Sequence, residues 1–170
     1  TTVYETAAYM PHQRPVYEAG FLTEKYSLAS SSFSDPVWET ASRMVIDKNL
    51  IQTISKPPVK LDYQLQWQML HDSESIFLKF DVHDATLHAE NNDEQMYHDD
   101  CIEIYLNSRN EKFSWNGEND YQIIMSPDAK GQELRVREFF KGASLTAQLN
   151  WKFKRLPGGY SAIIEIPKKA

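Results

Sequence analysis

Cysteine is almost absent from the sequence: Cys101 is the only one. An internal disulfide and a cysteine-clustered zinc site are therefore excluded. Long apolar runs are missing too. The longest has four residues, Ala7-Ala8-Tyr9-Met10, whereas a membrane-spanning helix needs roughly 20. Basic charge is in deficit. The 18 Lys and Arg against 24 Asp and Glu leave a formal net charge of −6, the wrong sign for a typical nucleic-acid binder. Glycine is scarce, at 6 residues, and forms no phosphate-cradling loop. The G-x-S-x-G nucleophile elbow is missing as well. What the chain does have is aromatic residues, 12% of its length, which suit strands and stacking surfaces. Its 170 residues suffice for one domain with its own core. It opens Thr-Thr-Val, without an initiating Met or a charged-then-apolar leader, as a processed secreted protein or an excised segment would.

Residues 1–34 carry Pro11, Pro15, Gly20 and the run Ser30-Ser31-Ser32, with no sustained period. They read as an irregular arm lying over the rest of the domain, residues 35–170. Asp35-Pro36-Val37-Trp38-Glu39 reads as a short helical turn with Pro36 in its first turn. From residue 61 the pattern is β. Leu61, Tyr63, Leu65, Trp67 and Met69 alternate with Asp62 and glutamines, a half-buried strand. After a polar turn, Ile76, Leu78, Phe80 and Val82 alternate with Phe77, Lys79, Asp81 and His83, completing a hairpin. Further strands follow at Ile102 to Leu106, Tyr121 to Met125, Leu134 to Phe140, Leu145 to Phe153 and Tyr160 to Ile166. Strands so arranged predict an all-β fold, an antiparallel β-sandwich of jelly-roll or immunoglobulin-like type. Leu65, Trp67, Ile76, Leu78, Phe80, Ile102, Ile104, Leu149 and Ile164 are its expected core.

The loops are where chemistry can sit. Residues 84–100 hold Asp84, Glu90, Asn91, Asn92, Asp93, Glu94, Asp99 and Asp100. Hard oxygen atoms at that density suit calcium, although the spacing is not that of an EF-hand; a solvated acidic loop is the competing reading. His83, His88 and His98 lack an H-x-x-x-H or H-E-x-x-H pattern and read as scattered surface histidines. Cys101 starts an apolar strand, where a thiol is usually inert packing. Carboxylate pairs for glycoside hydrolysis could be drawn from any acidic β-protein, so none is assigned, and no enzymatic activity is expected. Tyr97 and Trp115 are aromatics in loops beside strand ends. Each ring either stacks on a sugar, with nearby polar groups bonding its hydroxyls, or packs down on the sandwich edge.

The segment Tyr97-His98-Asp99-Asp100-Cys101-Ile102-Glu103-Ile104-Tyr105-Leu106-Asn107 resembles the family 9 carbohydrate-binding modules. There the family has an aromatic, a few polar residues, then Asp-Ser-Val-Glu-Ile-Phe-Ile-Asp. Asp35-Pro36-Val37-Trp38, the hairpin from Trp67 to Asp84, Tyr121-Gln122-Ile123-Ile124, and Gly158-Gly159-Tyr160 with Glu165-Ile166-Pro167 resemble other family segments in the same order. The resemblance implies a non-catalytic β-sandwich that holds structural calcium and binds a poly- or oligosaccharide end between two aromatic rings. Tyr97 falls where the family has a stacking Trp. Glu103 and Gln122 fall on polar residues of the motif strands. Ile124 and Ser126 stand where characterised members have an Arg and an Asn. The family pattern runs on past the Ile-Pro to a second Trp, so residues 35–170 are expected to be C-terminally incomplete, with Trp115 a candidate second ring. The calcium would draw on Asp84, Asp93, Asp99 and Asp100. The resemblance also implies a secreted or cell-surface protein, bacterial and extracellular or periplasmic, with the module attached to other domains. Two alternatives remain open at this point. One is a structural or assembly domain of a surface protein without a small ligand. The other is a haem b-binding electron-transfer domain of the DOMON type, using Met96, Met125 or His98 as axial ligands.

Overall fold

A computed structural model describes residues 17–46, 64–107, 120–138 and 148–168. The strands, in chain order, are β1 Gly20–Phe21, β2 Met44–Ile46, β3 Gln64–His71, β4 Ser75–His83, β5 Ile102–Asn107, β6 Asp120–Pro127, β7 Leu134–Glu138, β8 Asn150–Leu156 and β9 Gly159–Pro167. They form a 6-stranded sheet, ordered β1-β3-β4-β9-β8 with β2 also on β3, and a 3-stranded sheet, ordered β5-β6-β7. Among the described residues every pairing is antiparallel except that of β1 with β3. The expected all-β sandwich is what forms. Among the described residues no helix is long and apolar enough to cross a membrane.

Strand alternation builds the core. Leu78 and Phe80 on β4, and Tyr160, Ala162, Ile164 and Ile166 on β9, face Ile102 on β5, Ile123 and Met125 on β6, and Leu134 on β7. Leu65, Trp67, Ile76 and Ile104 pack against this cluster while only half-buried. All the expected core residues thus lie in or against one cluster between the sheets. The expected strand across Leu145 to Phe153 starts later, at Asn150; residues 145 and 147 lie outside the described residues. Residues 61–63 and 139–140 lie outside them as well.

The larger sheet is also covered over part of its outer face. Phe77 and Ile163 have the parity that period 2 assigns to the outside, yet both are 0% exposed. They form a second core with Leu28, Trp38, Ala41 and Leu70. Its cover is the stretch containing Tyr26, Phe33 and the 3-10 turn Pro36–Thr40. The turn falls where the Asp-Pro pair predicts one. Side-chain hydrogen bonds fasten this cover to the sheet: Gln68 Nε2 donates to the carbonyls of Trp38 at 2.6 Å and Ala41 at 3.1 Å. Asp72, in the β3–β4 turn, accepts from the backbone N–H of Tyr26 at 3.0 Å.

Candidate functional site

With Ile102, Ile104 and Leu106 of β5 turned toward the inter-sheet core, the alternate positions Glu103, Tyr105 and Asn107 face solvent. The β5–β6 register sets Tyr105 opposite Gln122 and Glu103 opposite Ile124. Ile124 in turn lies opposite Arg137 of β7. One face of the smaller sheet therefore carries Glu103, Tyr105, Gln122 and Arg137 around Ile124.

Three of these side chains form one hydrogen-bonded cluster. Gln122 Nε2 donates to Glu103 Oε2 at 3.1 Å and to Tyr105 Oη at 3.0 Å. The Tyr105 hydroxyl donates to the same Glu103 oxygen. Partial desolvation, then the hydrogen bond to Glu103 and its charge, push the Tyr105 phenol up to about 12. At neutral pH it is a donor. Its ring remains 50% exposed. Glu103 and Gln122 are the candidates legible in the sequence; Tyr105 carries the same signal, an off-core parity in β5 shared with Glu103.

The loop of residues 84–100 lies against the same sheet. Its 3-10 turn Met96–His98 packs on β6, with Met96 fully buried and Tyr97 47% exposed. Tyr97 also contacts the His98 ring, with centroids 4.2 Å apart. Arg135 of β7 staples this loop. Its Nη2 donates to Asp99 Oδ2 at 2.7 Å, its Nη1 to the Asn91 carbonyl at 2.8 Å, and Asp93 lies at 3.6 Å. Asp99 Oδ1 accepts the Asn91 side-chain amide at 2.7 Å and the backbone N–H groups of Glu90 and Asn91. Burial raises the Asp99 carboxyl, but those donors and the Arg135 charge outweigh it and hold the group below its ordinary value. Ile124 and Ser126, 1% and 0% exposed, are not available on the open surface.

Among the four acidic residues expected to hold calcium, Asp99 and Asp93 thus face guanidinium groups; Arg137 also approaches Asp93, at 3.8 Å. Asp84 and Asp100, with Asp99 beside them, line a cavity of about 270 Å³ that reaches Tyr160 and Cys101. Asp100 accepts the His88 N–H at 2.5 Å, and Asp84 the Thr86 N–H at 2.9 Å. Burial, then the charges of Asp84 and Asp99, raise the Asp100 carboxyl, against the pull of the His88 N–H. Among the described residues no three His, Cys, Asp or Glu side chains are grouped to hold a metal. Burial and three neighbouring carboxylates push the Cys101 thiol up to about 12, which keeps it protonated and inert. His83, His88 and His98 are all exposed. Trp115 lies outside the described residues. Met125 is part of the inter-sheet core and Met96 lies outside that cluster, so their placement lends the haem alternative no support.

The sequence profile described as carbohydrate family 9 binding domain-like matches residues 31–169. Among solved structures, the chain is similar to a family 9 carbohydrate-binding module from Caldicellulosiruptor kristjanssonii in complex with cellotriose. The TM-score is 0.64 and the identity 13%, over 90% of this chain and 69% of that one. It is similar also to a module of that family from the same organism in complex with glucose, with a TM-score of 0.62 and 14% identity over 88% of this chain and 69% of that one. At these identities the likeness is one of fold. No curated protein sequence matches the chain.

Proposed function

The chain belongs to the carbohydrate family 9 binding domain-like family, and from that premise we propose that it is a non-catalytic module holding a poly- or oligosaccharide at the exposed Glu103 and Tyr105 positions of the β5-β6-β7 sheet. The observation that carries this reading is the Glu103–Tyr105–Gln122 cluster. It presents a carboxylate, a phenol and an amide beside an exposed ring. A sugar needs that combination: a flat apolar wall for one side of the pyranose, and a few fixed donors and acceptors for its hydroxyls. Tyr105, and Tyr97 from the neighbouring turn, supply the rings. Glu103 accepts from hydroxyls and Gln122 both donates and accepts. Glucose and cellotriose, bound in the modules of similar fold, are the first ligands to try.

Calcium is part of the same proposal, confined to the Asp84 and Asp100 pair. These carboxylates share a cavity, and the charge of Asp84 helps to raise Asp100, a repulsion that a hard cation relieves. Calcium's remaining oxygen ligands would come from backbone carbonyls and water. Asp93 and Asp99 do not fit, because guanidinium groups already answer their charge. The family setting further suggests a secreted or cell-surface protein in which the module works beside other domains.

The test is calorimetric titration with cellotriose and glucose. Modest exposed ring area predicts a Kd on the order of millimolar to tens of micromolar. Tyr105→Ala and Tyr97→Ala should each stay folded and weaken binding by about tenfold or more. Unchanged affinity in both variants would place the sugar elsewhere.

A further inference from the structure

A second groove lies on the opposite side of the sandwich. Asn150 and Lys152 of β8 pair in register with Glu165 and Ile163 of β9. Ile163 belongs to the core under the N-terminal cover, whereas its neighbour Ile164 belongs to the inter-sheet core. Asn150, Lys152 and Glu165 therefore share the face turned away from the β5-β6-β7 sheet. The cover crosses that face at residues 25–29 and leaves a groove of about 440 Å³ along β8, the last strand of the sheet among the described residues. That volume lies within the roughly 300–1,000 Å³ usual for small-molecule sites.

The groove is lined by one carboxylate, Glu165, and two ammonium groups, Lys25 and Lys152. Lys25 is paired with Glu74 at 2.6 Å, whereas Glu165 and Lys152 are satisfied separately by neutral groups. Glu165 Oε1 accepts from the Ser75 hydroxyl at 3.0 Å, and Oε2 from the Asn150 amide at 3.2 Å. Lys152 Nζ donates to the carbonyls of Ser31 at 2.6 Å and Ala29 at 3.0 Å. Among the described residues neither makes an ion pair. Each carboxylate oxygen keeps a lone pair, and the ammonium keeps a third N–H. A free anion would meet the charge of Glu165 and a free cation that of Lys152. A neutral polyhydroxylated ligand suits both, since one hydroxyl donates to a carboxylate while another accepts from an ammonium. Tyr26 and Leu28 of the cover also line the groove, so apolar groups border the polar ones.

We propose that the groove between residues 25–29 and β8 is a second saccharide-binding site for neutral sugars, centred on Asn150, Lys152 and Glu165. It uses no residue of the β5-β6-β7 face. Two sites facing opposite ways would let one module bridge two glycan chains, with avidity for a multivalent glycan.

The experiment is titration of the isotopically labelled protein with glucose, cellotriose and a panel of neutral oligosaccharides, followed by NMR. A second site predicts saturable shifts at the backbone and side-chain amides of Asn150 and at the amide of Lys152. They should persist in Tyr105→Ala, and the affinity they report should fall about tenfold in Glu165→Gln and, read at the Lys152 amide, in the exposed-position variant Asn150→Ala. Shifts confined to Glu103, Tyr105 and Gln122 would overturn the second site and leave the first intact. Shifts confined to the groove would overturn the first and support the second. Shifts lost in Tyr105→Ala would show a single site, and no shift with any sugar would overturn both.

Discussion

Replacing Arg135 with Met should release the loop that carries Tyr97. In the native protein the Asp99 side chain is 1% exposed and that of Arg135 21%. The variant removes the guanidinium 2.7 Å from Asp99 Oδ2 and the donor to the Asn91 carbonyl. Stranding one member of a buried ion pair costs about 3–5 kcal/mol. Asp99 Oδ1 keeps its three donors from Glu90 and Asn91, so the lower end, about 3 kcal/mol, is expected. Local escape limits that loss. Once the penalty exceeds what the loop gains by docking, mainly the burial of Met96 and Ala89, the loop detaches while the sheets survive. Urea denaturation should therefore be paired with limited proteolysis of residues 84–100. Destabilisation of about 2–3 kcal/mol, or faster cleavage in that loop, supports the reasoning. Asp99→Asn should offset part of the effect in the double variant, a coupling that a cycle measures directly. Sugar affinity should fall with loop order, because Tyr97 is part of the released segment. A change within 0.5 kcal/mol, with native resistance to protease, would refute the claim that this pair holds the loop.

Other outcomes follow from the same structure. Phe77→Ala should cost about 3–5 kcal/mol, because the side chain is 0% exposed under the N-terminal cover; equilibrium denaturation within 0.5 kcal/mol of wild type would show that the cover does not add to the core. Asp72 is likewise held below its ordinary value: burial raises it, but the N–H groups of Tyr26, Glu74 and Ser75 and the charge of Lys168 prevail. For Asp72 and Asp99 the folded value lies below the unfolded one of about 3.9. Their stabilisation is complete above that pH and disappears as pH falls through the lower folded values. Acid titration of Asp72→Asn should show a shallower loss of stability than wild type in that window; an unchanged slope would contradict the assignment. Calcium added to metal-free protein should raise the melting temperature and should do so less as falling pH protonates Asp100, whose folded value is raised. No shift at any pH, or an undiminished shift in Asp100→Asn, would remove the ion from that pair.

Much of this protein was open to reading along the chain, because strand alternation is a property of the backbone itself. Successive side chains of an extended chain point to opposite sides whatever they later meet. Hence the hairpin of β3 and β4, the inward Ile102 and Ile104, and the outward Glu103 all followed from local pattern. What a side chain meets was not local. Phe77 and Ile163 have outward parity, and only the cover from residues 22–41 makes them core. Tyr105 and Gln122 are neighbours through the β5–β6 register, which no spacing in the sequence states. The acidic loop made the difference clearest. A cluster of carboxylates has the same composition whether its counter-charge is a metal ion or a protein cation. For Asp99 that charge comes from Arg135, 36 positions away, delivered by a strand that must pair with β6 before the guanidinium can reach it. Parity is set by covalent geometry one residue at a time, whereas charge partners and shared faces exist only once distant strands have closed into a sheet.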